Sequence, residues 1–211
     1  MRRRTVLTSL TLSLIAMTSA SQAQLTTKQA AAPVQGSDDP SPVVMLDTSA
    51  GPITLQLDRA KAPLSVANFL KYVDDGYYDG LVFHRVIPGF MIQGGGMRDL
   101  NGGLAEKDPT YSPVKNESKN GLKHVRGALA MARTPNPNSA TSQFFIDHAS
   151  RPDLDSASGG YTVFGKVIDG MDVVDAIAKS RTTTKSSSMG PNDDVPIKPI
   201  VIKSAKRKAQ S

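Results

Sequence analysis

The stretch Phe83-His84-Arg85-Val86-Ile87-Pro88-Gly89-Phe90-Met91-Ile92-Gln93-Gly94-Gly95-Gly96 constrains this chain more than any other. Pro88-Gly89 is a turn dipeptide between two apolar runs, the pattern of a β-hairpin. Side chains alternate across a strand, so Phe83, Arg85 and Ile87 are expected on one face. Met91 and Gln93 share a face of the second strand. Such a hairpin brings Arg85 close to Gln93, with Phe90 and Met91 at its bend. A buried Arg must be paired, so Arg85 is either a solvated residue on a core hairpin or part of a site.

A second stretch bears on that choice. Ala130-Met131-Ala132-Arg133 is followed by the loop Thr134–Thr141 and then Ser142-Gln143-Phe144-Phe145-Ile146. Alternation puts Gln143 and Phe145 on one face, Phe144 and Ile146 on the other. One Arg, two Gln, two Phe and a Met make an apolar cleft with a few polar donors, the usual composition of a small-ligand or peptide site.

These two blocks, FHRVIPGFMIQGGG and MARTPNPNSATSQFFI, resemble the signature segments of the cyclophilins, the cyclosporin-binding peptidyl-prolyl cis-trans isomerases. The similarity runs from about Val43 to Lys203. Arg after Met-Ala is closest to the bacterial branch, particularly its periplasmic members. The resemblance implies a mainly β fold, a closed eight-stranded antiparallel β-barrel capped by two α-helices, with the site on the outer surface of a filled barrel. It also implies an enzyme without metal or cofactor, acting as a monomer on proline-containing segments of unfolded or partly folded exported proteins.

The family's chemistry gives the residues their expected roles. Rotation about an X-Pro bond must break amide resonance, which costs about 18–20 kcal/mol. A catalyst therefore binds the twisted amide better than either planar form. Arg85 is the cation expected to donate to the prolyl nitrogen once its lone pair is localised, since a guanidinium is always charged and its fork is rigid. Gln93 is expected to bond the peptide backbone and orient Arg85. Phe90, Met91 and Phe145 form the proline pocket, and Leu154 extends it. Ala132, Arg133 and Gln143 make the backbone-binding edge, where animal members commonly carry Ala-Asn. Tyr161 stands where many members have His. The family's drug-binding Trp is replaced by Asp153 in a chain with no Trp, which implies weak cyclosporin binding.

Arg2, Arg3 and Arg4, the short apolar run Val6–Met17 and Ser21-Gln22-Ala23 form a secretory signal, with cleavage expected after Ala23. That run is too short and polar for stable membrane insertion. The implied address is the periplasm, by the general secretory route. Arg2, Arg3 and Arg4 also supply half of the net charge of +6. The other Lys and Arg are scattered, so no nucleic-acid partner is expected. With no Cys, a disulfide framework or thiol nucleophile is excluded.

Residues 24–42 read as a flexible leader, 43–205 as the folded domain and 206–211 as a basic C-terminal tail. Val43–Thr48 and Ile53–Leu57 flank a hairpin turn. Pro63–Val73 and Met171–Ala178 have helical spacing. Tyr161–Val167 and Pro199–Ile202 read as strands, and Met97–His124 as a polar surface excursion. His84, His124 and His148 lack metal-ligand spacing. Ser142 with His148 could suggest a hydrolase, but no G-x-S-x-G elbow supports it. The glycine triplet is read as permitting tight packing or a bulge rather than phosphate binding.

Overall fold

The structure, a computed structural model, describes residues 39–208. The signal at 1–23, its cleavage point and most of the leader at 24–42 lie outside the described residues. Alternation dictates the first hairpin. In β1 (Val43–Thr48) buried and half-buried residues alternate strictly, and β2 (Gly51–Leu57) buries Ile53, Leu55 and Leu57 against it. The helix α1 (Pro63–Asp74) follows, with proline in its first turn, where a missing N–H costs nothing. Its free N–H groups find a distant partner. Glu117 accepts from Leu64 N and Ser65 N at 3.0 and 2.9 Å. The polar excursion around residue 117 thus caps a helix more than fifty residues before it, favourably placed for the helix dipole.

The remaining elements are β3 (Arg85–Ile87), β4 (Met91–Gly94), β5 (Met97–Asp99), β6 (Leu104–Glu106), β7 (Ala128–Met131), β8 (Phe144–Asp147), β9 (Val163–Asp169), α2 (Met171–Ala178), β10 (Thr182–Ser187), β11 (Gly190–Pro196) and β12 (Ile202–Arg207). Eight of the strands form one antiparallel sheet in the order β12-β1-β2-β9-β7-β8-β4-β3. Bulges between β1 and β12, β2 and β9, and β7 and β9 sharpen its twist. Gly165 allows β9 to approach β2 closely, since a Cβ there would lie 2.6 Å from the Gln56 carbonyl oxygen.

The expected closed barrel is corrected to a strongly curled open sheet. Its edge strands β3 and β12 do not pair along their length. Contact is made between the segment before β3 and the start of β12, through Phe83 N to Ile200 O at 3.0 Å, Ile202 N to Leu81 O at 2.8 Å and Gly80 N to Ile202 O at 2.9 Å. That seam also explains two further differences. Phe83 points into the main core beside Val86, not outward with Arg85, because the strand begins only at Arg85. The closing strand is Ile202–Arg207 rather than Pro199–Ile202, so Lys206 and Arg207 of the expected tail belong to the ladder, where Arg207 pairs with Val44. The leader's last residues are likewise tied down, Pro42 O accepting from Leu57 N at 2.8 Å.

Inside the curl, Phe69 of α1 lies 5.3–5.5 Å from the rings of Tyr78, Phe144 and Phe164. Val174, Ile177 and Ala178 of α2 enter the same core. The hairpins β5–β6 and β10–β11 lie apart from the main sheet. They are joined to each other by the Lys185–Asp99 ion pair and a bridge between Gly103 and Ser186.

His84, next to Phe83, is buried, and its Nδ1 has no partner. Burial pushes its imidazole from the ordinary 6.5 down to about 4. The unfolded chain takes up a proton near pH 6.5 that the native fold refuses until about pH 4. The contribution of His84 is therefore full above 6.5 and is lost as pH falls through that window, by about 3 kcal/mol. Denaturant unfolding across the window should show this loss of stability. A His84→Asn variant, with no proton to gain, should lose that part of the slope.

Candidate active site

On the outer face of the sheet, register aligns three of the expected site residues in one row. Arg85 of β3 pairs with Gln93 of β4, and Gln93 pairs with Phe145 of β8. Phe145 pairs in turn with Ala130 of β7. Alternation separates the faces. Phe144 and Ile146 enter the main core, while Phe145 joins Met91, Leu154 and Val163 in a second apolar cluster outside it.

The row opens into a recess of about 120 Å³ lined by Arg85, Phe90, Met91, Gln93, Ala132, Arg133, Phe145, Leu154 and Tyr161. Phe145 is the floor, with Tyr161 edge-on to it at 5.9 Å. Arg85 is exposed at the rim, its guanidinium 5.9 Å from the Phe90 ring. None of the salt bridges among the described residues involves it. Gln143 stands one step outside. It lines an adjoining cavity of about 270 Å³ that shares Gln93, Ala132 and Arg133. Gln93 Nε2 donates to Gln143 Oε1 at 2.9 Å, so the two amides form one polar edge.

Arg133 is in the recess, but its guanidinium is engaged. It donates to the carbonyls of Gly160, Ser158 and Thr134 at 2.9–3.0 Å and stacks 4.2 Å over Tyr161. It braces the loop that carries Tyr161, which leaves the backbone of that segment as its contribution to a binding edge. Asp153 is held away from the apolar recess by its bond to Arg151, at 2.7 Å, which also holds its carboxyl below the ordinary carboxylate range. Arg151 in turn lies 4.1 Å over Phe90.

Three nearby residues escaped the sequence reading. Arg151 covers Phe90. His124 stacks on Phe145 with the rings 8° from parallel, and Asp147 bonds His124. One signal could have pointed to the last pair. Asp147 shares a face with Phe145 in an otherwise apolar strand, and a buried carboxylate requires a partner. The hydrolase alternative finds no assembled triad. The Ser142 hydroxyl is buried and donates to Tyr77 Oη at 3.3 Å, while His148 is engaged by Gly89 N and Asp175.

The arrangement suits a ligand with an apolar ring and a polar backbone. A ring fits among Phe90, Met91, Leu154 and Phe145. The amide edge offers hydrogen-bonding groups to an extended backbone, and a permanent cation stands where charge or a lone pair can be met at the mouth. No side chain in the recess is set up as an activated nucleophile.

Comparison with known proteins agrees with these features. The family model described as cyclophilin type peptidyl-prolyl cis-trans isomerase matches residues 43–207. The chain is similar to peptidyl-prolyl cis-trans isomerase A of Dickeya dadantii, at 53% identity over 77% of this chain and 83% of that protein. A peptidyl-prolyl cis-trans isomerase of Acinetobacter baylyi is 49% identical over 79% of this chain and 86% of its own length. Among solved structures, a cyclophilin type isomerase of Cryptosporidium parvum superposes with a TM-score of 0.66 at 30% identity. It covers 81% of this chain and 99% of that one.

The glycine triplet shapes the amide edge directly. A Cβ on Gly96 would lie 2.5–2.6 Å from the Gln143 side chain, and one on Gly95 would lie 2.8 Å from the Ser142 carbonyl oxygen. Gly96→Ala displaces the Gln143 side chain from Cγ outward rather than backbone, so the fold should persist while the Gln93–Gln143 bond is lost. Peptide isomerisation should fall by roughly tenfold, the scale of one hydrogen bond misplaced at a site. Paired activity and thermal-melt measurements on the variant check this.

Proposed function

The chain belongs to the cyclophilin-type peptidyl-prolyl cis-trans isomerase family, and from that premise we propose how its residues divide the work. The protein is a peptidyl-prolyl cis-trans isomerase, and its substrates are proline-containing polypeptides. In our reading the proline ring enters the recess over Phe145, between Phe90, Met91 and Leu154. Gln93 and Gln143, with the backbone at Ala132 and Arg133, hold the flanking peptide in extended form. Arg85 donates to the prolyl nitrogen as the amide twists and its lone pair localises. That bond exists only when resonance is lost, so it lowers the barrier without tightening ground-state binding. Tyr161 closes the far wall.

The observation that carries this reading is the row Arg85–Gln93–Phe145 across three adjacent strands. It sets a permanent cation and an apolar floor on either side of one amide. A twisted X-Pro bond presents the matching parts, a nitrogen lone pair, a ring and a peptide backbone. Arg85→Ala should lower the catalytic rate by at least about 10²-fold, as for loss of one preorganised donor. The exposed position of Arg85 on the sheet rim should leave the fold intact. A variant that is folded by circular dichroism yet isomerises at the wild-type rate would remove Arg85 from the mechanism.

The setting is also part of the proposal. The basic, apolar and small-residue order of residues 1–23 supports export to the periplasm by the general secretory route, with exported chains as clients and the enzyme acting as a monomer. No helix among the described residues is long and apolar enough to cross a membrane. Mass spectrometry of protein from the native cell should find a mature chain beginning at Gln24. A cytoplasmic form retaining Met1 would overturn both compartment and client class.

A further inference from the structure

Beneath the proline recess lies a pair of titratable side chains that the mechanism leaves unused. His124 and Asp147 each have a side-chain exposure of 0%, with Nδ1 and Oδ2 2.8 Å apart. The imidazole stacks on Phe145 with ring centroids 5.8 Å apart. Its Nε2 lies 3.2 Å from the backbone oxygen of Tyr161. Tyr161 N in turn donates to Leu154 O at 3.1 Å, so the imidazole meets the floor through its ring face and Tyr161 and Leu154 through Nε2. The other Asp147 oxygen, Oδ1, is buried without a partner.

Proton arithmetic limits what this pair can be. A carbonyl oxygen only accepts, so the bond to Tyr161 requires a hydrogen on Nε2. The contact between Nδ1 and Oδ2 requires a second. Imidazole and carboxyl together therefore hold two protons and are neutral as a pair. With one proton removed, the charge-assisted bond from Nδ1–H to the carboxylate is the stronger. The remaining lone pair on Nε2 then faces the Tyr161 oxygen, and that bond is lost.

We propose that His124 and Asp147 are positioning residues for isomerisation, a buried dyad whose shared proton keeps Phe145 and Tyr161 in place, and whose loss at alkaline pH slackens the recess. The proposal rests on the reading of Phe145 and Tyr161 as the walls of the proline pocket. Burial pushes the Asp147 carboxyl up from its ordinary value despite its bond to His124. The charged groups around the dyad are mixed in sign. Arg151 and Asp153 act on Asp147 from the 151–153 segment, and His148 follows it in the chain. Asp155 accepts from His124 N and pairs with Lys123.

The test compares the intact enzyme with an Asp147→Asn variant. The Asn amide donates to Nδ1 and leaves Nε2–H on Tyr161, with no proton to lose. From about pH 6 to about pH 10, wild-type kcat/KM on a short X-Pro peptide should fall by about tenfold, mostly through KM, whereas the variant's profile should stay flat. Nitrogen-15 NMR of His124 in the wild type should show Nε2 protonated at neutral pH and bare on the alkaline side. This measurement stands even if the variant fails to fold. Coincident pH profiles, or an Nε2 already bare at neutral pH, would overturn the proposal. Phe145→Ala separates the two readings. If it loses activity while the dyad profiles coincide, only the dyad proposal fails. If it keeps wild-type activity, the pocket reading falls and takes the dyad proposal with it.

Discussion

In β8, Phe144 and Ile146 turn toward the core while Phe145 and Asp147 turn away, and this period of two decides where the other groups can stand. A register slip of one residue would put Phe145 against Phe69 and leave the outer cluster without its floor. The slip is prevented from both sides. Phe144 fits edge-on between Phe69, Tyr78 and Phe83, a geometry few other side chains could satisfy. Gly95 and Gly96 leave room for the chain at Ser142 and Gln143 only in the observed register. The site is thus the reverse side of the core packing.

The same arrangement lets polar groups stand in dry surroundings. His84 and Asp147 are both sheltered from water, and burial lowers the imidazole of the first and raises the carboxyl of the second. At the rim the rule reverses. Arg85 remains exposed while Arg133 and Arg151 are engaged by loop carbonyls and by Asp153. Three arginines around one recess therefore differ in availability. One can meet a substrate, and two hold the loops and the Phe90 ring that shape it.

Residues within a strand could be read from the letters, because period-two alternation and the Pro88-Gly89 turn settle which neighbours share a face. Arg85 opposite Gln93 and Phe145 opposite Phe144 follow from that alone, and Pro63 with Val66, Phe69 and Leu70 announces α1. Closure was not readable. Whether β3 meets β12 depends on the summed twist of eight strands, and local pattern is silent on it. β10 and β11 escape because TTTKSS and GPNDDVP have no apolar alternation and are held by Lys185 and Asp99. Glu117 at the start of α1 and His124 beneath Phe145 escape for another reason. Both sit in a polar stretch whose partners are fifty-two and twenty-one residues away, and sequence spacing does not report such contacts.

The pairing of β1 with β12 has a consequence for the order in which the domain can be made. β1 lies between β2 and β12, so the strand that leaves the ribosome first waits for the one that leaves last. Until Ile202–Arg207 arrives, Val44 and Leu46 have backbone satisfied on one side only, and the chain must be kept from aggregating along that edge. A domain built this way completes its sheet only when its last strand is in place, and its two ends, joined through Lys208 N and Val43 O at 2.8 Å, finish side by side.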